Sequence, residues 1–170
     1  MGIEGGFMQI IYQEIDDNNI KKIENKYGKV AKEHIHTDGG SYSLAAICDN
    51  DIVGFISTYT RSLTEPISGE NDAYIDIIEV DKAFRRCGIA TELIKRTEDW
   101  AKKTGLLQIR AWSSQDKAGA IKMWRNLGYG LCPAEIWVEW CKEIVNGYYV
   151  VKQLNPVNQY PEITKLINIK

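Results

Sequence analysis

Val80-Asp81-Lys82-Ala83-Phe84-Arg85-Arg86-Cys87-Gly88-Ile89-Ala90 is the stretch whose reading decides the fold. It lies between an apolar, strand-like run, Tyr74 to Val80, and a helix-like run, Cys87 to Lys103. A strand that ends in basic and small residues and then opens a helix makes a cradle for phosphate. The first N–H groups of a helix lack intrahelical partners and carry partial positive charge, so they accept an anion. Gly88 and Ala90 carry little or no side chain, which lets a phosphate approach the backbone. Arg85 and Arg86 add full charges and forked donors that match phosphate oxygens. The plainer alternative is a helix start with two solvated arginines.

The spacing narrows the choice. A dinucleotide-binding turn needs G-x-G-x-x-G, and this turn holds one glycine. A P-loop needs G-x-x-x-x-G-K followed by Ser or Thr, which does not occur. At 170 residues the chain is long enough for one domain with a real core. Hydrophobic residues make up 44% and charged residues 26%, as in ordinary globular proteins. A net charge of −2 gives no electrostatic case for nucleic acid as a partner. No apolar run approaches the roughly 20 residues of a membrane span, and Met1 to Gly6 lacks the basic and apolar regions of a signal peptide. Cys48, Cys87, Cys132 and Cys141 form no C-x-x-C pair, and His34 and His36 stand far from them. That pattern supports neither a zinc site nor a disulfide framework and fits a reducing cytoplasmic setting. Cys87 reads as a small residue beside the loop rather than as a nucleophile.

Periodicity then orders the rest. Phe7 to Gln13 reads as a first strand. Asp16 or Asp17 caps a helix running to about His34, with Ile20, Ile23, Tyr27 and Val30 on its core face. Tyr42 to Cys48 and Ile52 to Tyr59 read as strands joined by the turn Asp49-Asn50-Asp51. Arg61 to Asn71 is a polar loop. After the central strand and its helix, ended by Gly105, come a strand from Leu106 to Trp112 and a helix from Asp116 to Leu127 ended by Gly128. Leu131 to Trp140 and Gly147 to Leu154 read as final antiparallel strands. Residues 1–6 are an extension and 155–170 a tail to a single domain. The order β-α-β-β-β-α-β-α-β-β implies a mixed sheet with helices on its faces.

Arg85-x-x-Gly88-x-Ala90 resembles the Gln/Arg-x-x-Gly-x-Gly/Ala signature of the GNAT acyl-CoA N-acyltransferase superfamily. The run Asp116 to Tyr129 resembles that family's second pattern, Asn-x-x-Ala-Ile-x-x-Tyr-x-x-x-Gly-Phe/Tyr, with Ala120, Ile121, Gly128 and Tyr129 in register. The element order is also that of the GNAT fold. The resemblance implies an α/β fold: a central, mostly antiparallel twisted sheet of about seven strands, flanked by helices and splayed where acetyl-CoA binds. It covers roughly Phe7 to Leu154. It implies acetyl-CoA as cosubstrate without a metal, its pyrophosphate held by Arg85, Arg86, Cys87, Gly88, Ile89, Ala90 and Thr91. The backbones of Ile78 and Val80 pair with pantetheine. Lys117 and Trp124 complete the cofactor contacts. They depart from the family, which usually has Asn and often Tyr there. An indole N–H donates a hydrogen bond but no proton near neutral pH, so Trp124 is not the acid for the departing thiolate. It packs on pantetheine or is a buried aromatic. Tyr129, Tyr148 and Tyr149 remain candidate proton donors or core residues. Lys122 and Arg125 are surface charges or phosphate contacts.

An amine must lose a proton before it attacks a thioester, and a carboxylate can take it. Ser62 to Asp81 holds Glu65, Glu70, Asp72, Asp76, Glu79 and Asp81, with no lysine or arginine. That charge suits a cationic substrate. Asp76 is the leading catalytic base because it interrupts an apolar strand, where an unpartnered carboxylate is costly. Glu79 is the second; alternation points it to the opposite face unless a bulge intervenes. The implied function is transfer of acetyl to a primary amine of a small antibiotic- or polyamine-like cation, by direct attack in a ternary complex. The alternatives are a protein or peptide amine, a non-catalytic acyl-CoA-binding module, and an unrelated nucleotide-binding domain. A homodimer would cover the sheet's edge strand.

Overall fold

Asp49 and Asn50 turn the chain with φ of 48° and 65°, a left-handed conformation that Asn and Asp tolerate better than most residues. They join β2 (Ser41–Cys48) to β3 (Asp51–Ser62), antiparallel, with Cys48 opposite Asp51. The hairpin read from the sequence is therefore present in this computed structural model, which describes residues 9–139 and 141–154. The expected extension 1–6, the tail 155–170 and Trp140 lie outside the described residues.

β1 (Ile11–Glu14) leads into α1 (Asp17–Tyr27), whose N-cap Asp16 accepts the Asn19 N–H at 2.8 Å. The single helix expected to run to His34 is broken. Gly28, at φ 91° and ψ 171°, adopts a backbone conformation closed to residues with a side chain. A second short helix, α2 (Lys29–Glu33), follows. The break resets the helical phase. Ala31 is buried, and Val30, expected in the core, is 64% exposed. β4 (Asn71–Val80) starts earlier than expected and β3 runs past Tyr59 to Ser62. The Ser62 hydroxyl to Asn71 Oδ1 (3.0 Å) and the Leu63 N–H to Glu70 O (2.9 Å) shorten the expected loop from both ends. After a 3-10 turn (Lys82–Phe84) come α3 (Ile89–Lys103), β5 (Gln108–Ser114), α4 (Ala118–Asn126), β6 (Gly130–Val138) and β7 (Glu143–Gln153). The start of α3 lies two residues beyond the expected Cys87, because Arg86 and Gly88 take φ of 69° and 82°. Neither angle fits a right-handed helix.

Seven strands form one sheet in the order β1-β2-β3-β4-β5-β7-β6. The pairs β1/β2, β2/β3, β5/β7 and β6/β7 are antiparallel. Among the described residues, no helix is long and apolar enough to cross a membrane. The described residues group into two compact units, one within 9–59 and 75–97 and the other within 60–74 and 98–154.

In the first unit, Ile23, Ala45, Ile52 and Phe55 are fully enclosed, and Tyr27 sets its ring edge-on to Phe55 at 5.1 Å. Ile89, Leu93, Ile94 and Thr97 give α3 a buried stripe at helical spacing. In the second unit, buried Glu98 accepts the Tyr129 hydroxyl at 3.0 Å and pairs with Lys152 at 2.8 Å. Fully buried Asp72 is ion-paired with Arg110. Each charge is paired, which lets the two carboxylates sit in low dielectric, although Asp72 Oδ1 has no hydrogen-bond partner among the described residues.

Lys26 ties the C-terminal turn of α1 to two other elements. Its ammonium bonds Asp51 at 2.6 Å, Asp81 at 3.0 Å and the Ile52 carbonyl at 2.7 Å. Burial alone would lower the Lys26 pKa, but the bonds to Asp51 and Asp81 outweigh it and hold it above its ordinary value. The bond from Lys26, then the Ala83 N–H, holds Asp81 below the usual carboxylate range. A raised Lys pKa contributes stability below about pH 10.4 that is lost above it, and a lowered Asp pKa contributes stability above about pH 3.9 that is lost below it. Lys26→Met keeps the apolar stem and removes the charge. It is expected to lower Tm at pH 7 by roughly 2–4 °C, and the gap from the native chain should narrow as pH falls below 4. Thermal melts at pH 3, 7 and 9 check this.

Candidate active site

The C-terminal half of β4 carries the candidate groups. Asp76 bonds the histidines of the segment after α2, and the next residue, Ile77, packs on the core cluster that contains Ile23 and Ala31 of α1 and α2. Two consecutive side chains thus turn toward the α1–α2 side of the strand. Strict alternation breaks between them, as at a β-bulge. Glu79 then follows Ile77 onto that side, where its charge raises the Tyr27 pKa, to which burial contributes most. The two carboxylates expected on opposite faces therefore share one.

Their partners differ. Asp76 Oδ2 meets His34 Nδ1 at 3.0 Å and His36 Nε2 at 2.7 Å. Its side chain is 22% exposed. His36 is held through its backbone and its ring. Its backbone N–H donates to Ser57 Oγ at 2.9 Å, and its carbonyl accepts the Ser43 hydroxyl at 2.6 Å. Its ring lies 4.6 Å from that of Tyr59. Among the described residues no set of three or more such side chains is arranged to hold a metal ion. Glu79 instead takes Arg85 Nη2 at 3.1 Å, while Arg85 Nε donates to the Val80 carbonyl at 3.0 Å. Arg85, expected to face phosphate, is folded back onto the strand end.

The loop that follows is shaped by its backbone. Arg86 and Gly88 are left-handed, and the first α3 bond runs from the Glu92 N–H to the Gly88 carbonyl at 3.0 Å. The N–H groups of Ile89, Ala90 and Thr91 therefore precede the first intrahelical donor. A Cβ built on Gly88 would meet nothing within 4 Å, so the space above the turn is open. Arg86 and Cys87 are exposed, and Ile89 is buried under the helix start. A turn with open space, donors in a row and two exposed arginines suits a phosphate.

The remaining expected groups lie in the second unit. Lys117 stands exposed at the N-cap of α4 without a side-chain cap bond. Trp124 is 2% exposed and packs on Tyr129, ring centroids 4.8 Å apart. Tyr129 gives its hydroxyl to Glu98, and burial and that carboxylate push its pKa far up. It is a core residue, not a proton donor. Lys122 and Arg125 are exposed on α4 and border an open cleft with Ile121, Asn126 and Tyr148.

The acid-rich window also changes meaning. Asp72 is spent on Arg110, Asp76 on two imidazoles, Glu79 on Arg85 and Asp81 on Lys26. Glu65 accepts the Ser68 hydroxyl. Asp72, Asp76, Glu79 and Asp81 thus answer partners within the fold, while Glu65 stays exposed. His34 and His36 were missed from the sequence. No local pattern links positions 34 and 36 to 76; the one available signal was that a carboxylate in an apolar strand needs a donor.

The profile described as "Acetyltransferase (GNAT) family" matches residues 8–129. A probable N-acetyltransferase 14 of Xenopus tropicalis is 27% identical over 110 residues, 65% of this chain and 47% of that protein. The chain thus spans about half the length of that curated relative. NAA60 of Arabidopsis thaliana, solved with a bisubstrate analogue, superposes with TM-score 0.73 at 16% identity, over 86% of this chain and 99% of that one. A putative streptothricin acetyltransferase of Bacillus anthracis, solved with acetyl coenzyme A, superposes with TM-score 0.67 at 18% identity, over 87% and 99%. At these identities the superpositions speak for the fold.

Trp124→Phe keeps a ring against Tyr129 and should cost about 1–2 kcal/mol, whereas Trp124→Ala should cost about 3–5 kcal/mol by leaving a cavity. Denaturant unfolding of both variants checks the packing role.

Proposed function

Because the chain belongs to the acetyltransferase (GNAT) family, we propose that it transfers the acetyl group of acetyl-CoA to a primary amine by direct attack in a ternary complex. The observation that carries this reading is the left-handed turn Arg86–Gly88 placed between the end of β4 and the unpartnered N–H groups of α3. Acetyl-CoA supplies an acyl carbon activated as a thioester. Arg86, Cys87, Gly88, Ile89, Ala90 and Thr91 bind its pyrophosphate, and Arg85 swings from Glu79 to join them. The backbones of Ile78 and Val80 align pantetheine along β4. Asp76, with the two imidazoles it bonds, marks the place at the strand end where the amine loses its proton. Glu79, engaged with Arg85, acts on cofactor placement more than on the proton. Trp124, enclosed in its own unit, keeps its helix packed, and Lys117 remains a candidate phosphate contact.

The acceptor class stays at a primary amine. The acid-rich window does not choose between a small cation and a peptide amine, since Asp72, Asp76, Glu79 and Asp81 have internal partners. Thiol release over a panel of polyamines, aminoglycoside-like amines and peptide α-amines decides between small-molecule and peptide acceptors. Acetyl-CoA bound without thiol release from any of them would leave the binding-module reading.

Gly88→Glu puts a bulky anion over the turn in a left-handed position. It should weaken acetyl-CoA binding at least tenfold by calorimetry; unchanged affinity would remove the pyrophosphate from this turn. Asp76→Asn should lower turnover about 10²–10⁴-fold, the usual cost of a disabled proton-transfer site, at near-unchanged acetyl-CoA affinity. Glu79→Gln should instead change acetyl-CoA affinity more than turnover. Trp124→Phe should keep most of the turnover, and a thousandfold loss in a folded variant would put the indole in the chemistry.

A further inference from the structure

Asp76 Oδ2 faces two ring nitrogens, His34 Nδ1 and His36 Nε2. An ionised carboxylate only accepts, so each of those nitrogens carries the proton of its bond. That fixes both tautomers. His34 is Nδ1–H with its lone pair on the distal Nε2, and His36 is Nε2–H with its lone pair on Nδ1. His36 is pinned through its backbone and against Tyr59. His34, at the end of α2, has a side chain 46% exposed. One imidazole is thus locked in place and the other presents a lone pair outward.

We infer that the group that takes the proton of the acceptor ammonium is Nε2 of His34, with Asp76 and His36 as its positioning residues. This rests on the acetyltransferase reading above. An N–H bond of the ammonium breaks, and the proton goes to His34 Nε2. The electron pair left on nitrogen forms the bond to the acyl carbon. The C–S bond breaks, its pair stays on sulfur, and the proton shed by the new amide nitrogen neutralises that thiolate. His34 returns its proton to solvent, which its exposure permits.

The electrostatics favour this division. Asp76 beside His34 stabilises the imidazolium that forms, as a carboxylate does wherever it orients a catalytic imidazole. The second donor, from His36, keeps the carboxylate from rotating away. An imidazole changes charge between pH 5 and 8, so it accepts a proton near neutrality and releases it again. The titratable groups placed against His34 are Asp76 of β4, His36 of its own segment and, behind His36, Tyr59 of β3.

The test uses the whole chain and the best amine from the thiol-release panel. His34→Asn keeps an N–H near the Nδ1 position and removes Nε2. It should lower kcat/KM about 10²–10⁴-fold and erase the rise of kcat/KM between pH 5 and 8, with acetyl-CoA affinity within twofold. His36→Gln keeps a donor to Asp76 and should retain that rise and activity within about tenfold, whereas His36→Ala should lose more. Nitrogen NMR of the native chain at pH 8 should find His34 as the Nδ1–H tautomer. An active native chain whose His34→Asn variant keeps its rate and pH profile overturns the inference and leaves the acetyltransferase reading standing. So does the opposite tautomer at His34. No thiol release by the native chain from any amine overturns both.

Discussion

The left-handed turn at Arg86 and Gly88 is the constraint from which the site follows. It stops β4 from running straight into α3 and delays the first helical hydrogen bond to the Glu92 N–H. The N–H groups before it must find partners outside the helix. They sit beside open space over Gly88, where a phosphate's charge is favoured by the helix dipole. Asp81 and Lys26 hold the near side of this turn. Asp81 accepts the Ala83 N–H at 3.2 Å and the Lys26 ammonium at 3.0 Å, so the loop leaves the strand from a fixed point.

The second constraint is a carboxylate in an apolar strand. Left alone, Asp76 would oppose the folding of the strand that carries it. The chain answers with two histidines from one short segment. A carboxylate that must be hydrogen-bonded for folding is thereby placed where an amine could be deprotonated. Glu79, on the same side after the break in alternation, is occupied by Arg85 and takes no part in that pairing. One strand end thus holds two carboxylates in different company.

Much of this was legible in the sequence. The strand, the turn after it and the helix follow from local composition, and the hairpin at Asp49–Asn50 from turn chemistry. The family resemblance was carried by the same local runs. Gly28 shows what periodicity overlooks: apolar spacing continued through a residue whose backbone broke the helix, so Val30 ended outside and Ala31 inside. The histidines were hidden for a different reason. Their partner lies about forty positions away, and pairing at that range is written in the tertiary fold alone. The acidic window could not be resolved from the sequence, because charge along a chain does not say which carboxylates have partners. Asp72 and Asp81 are answered by Arg110 and Lys26, from different elements.

The central claim is that the start of α3 holds the pyrophosphate of acetyl-CoA. Amide NMR during acetyl-CoA titration tests it most directly. The account predicts that the largest shifts fall on Gly88, Ile89, Ala90 and Thr91 and saturate together with the ligand. Saturable binding that leaves those four amides unmoved would contradict it.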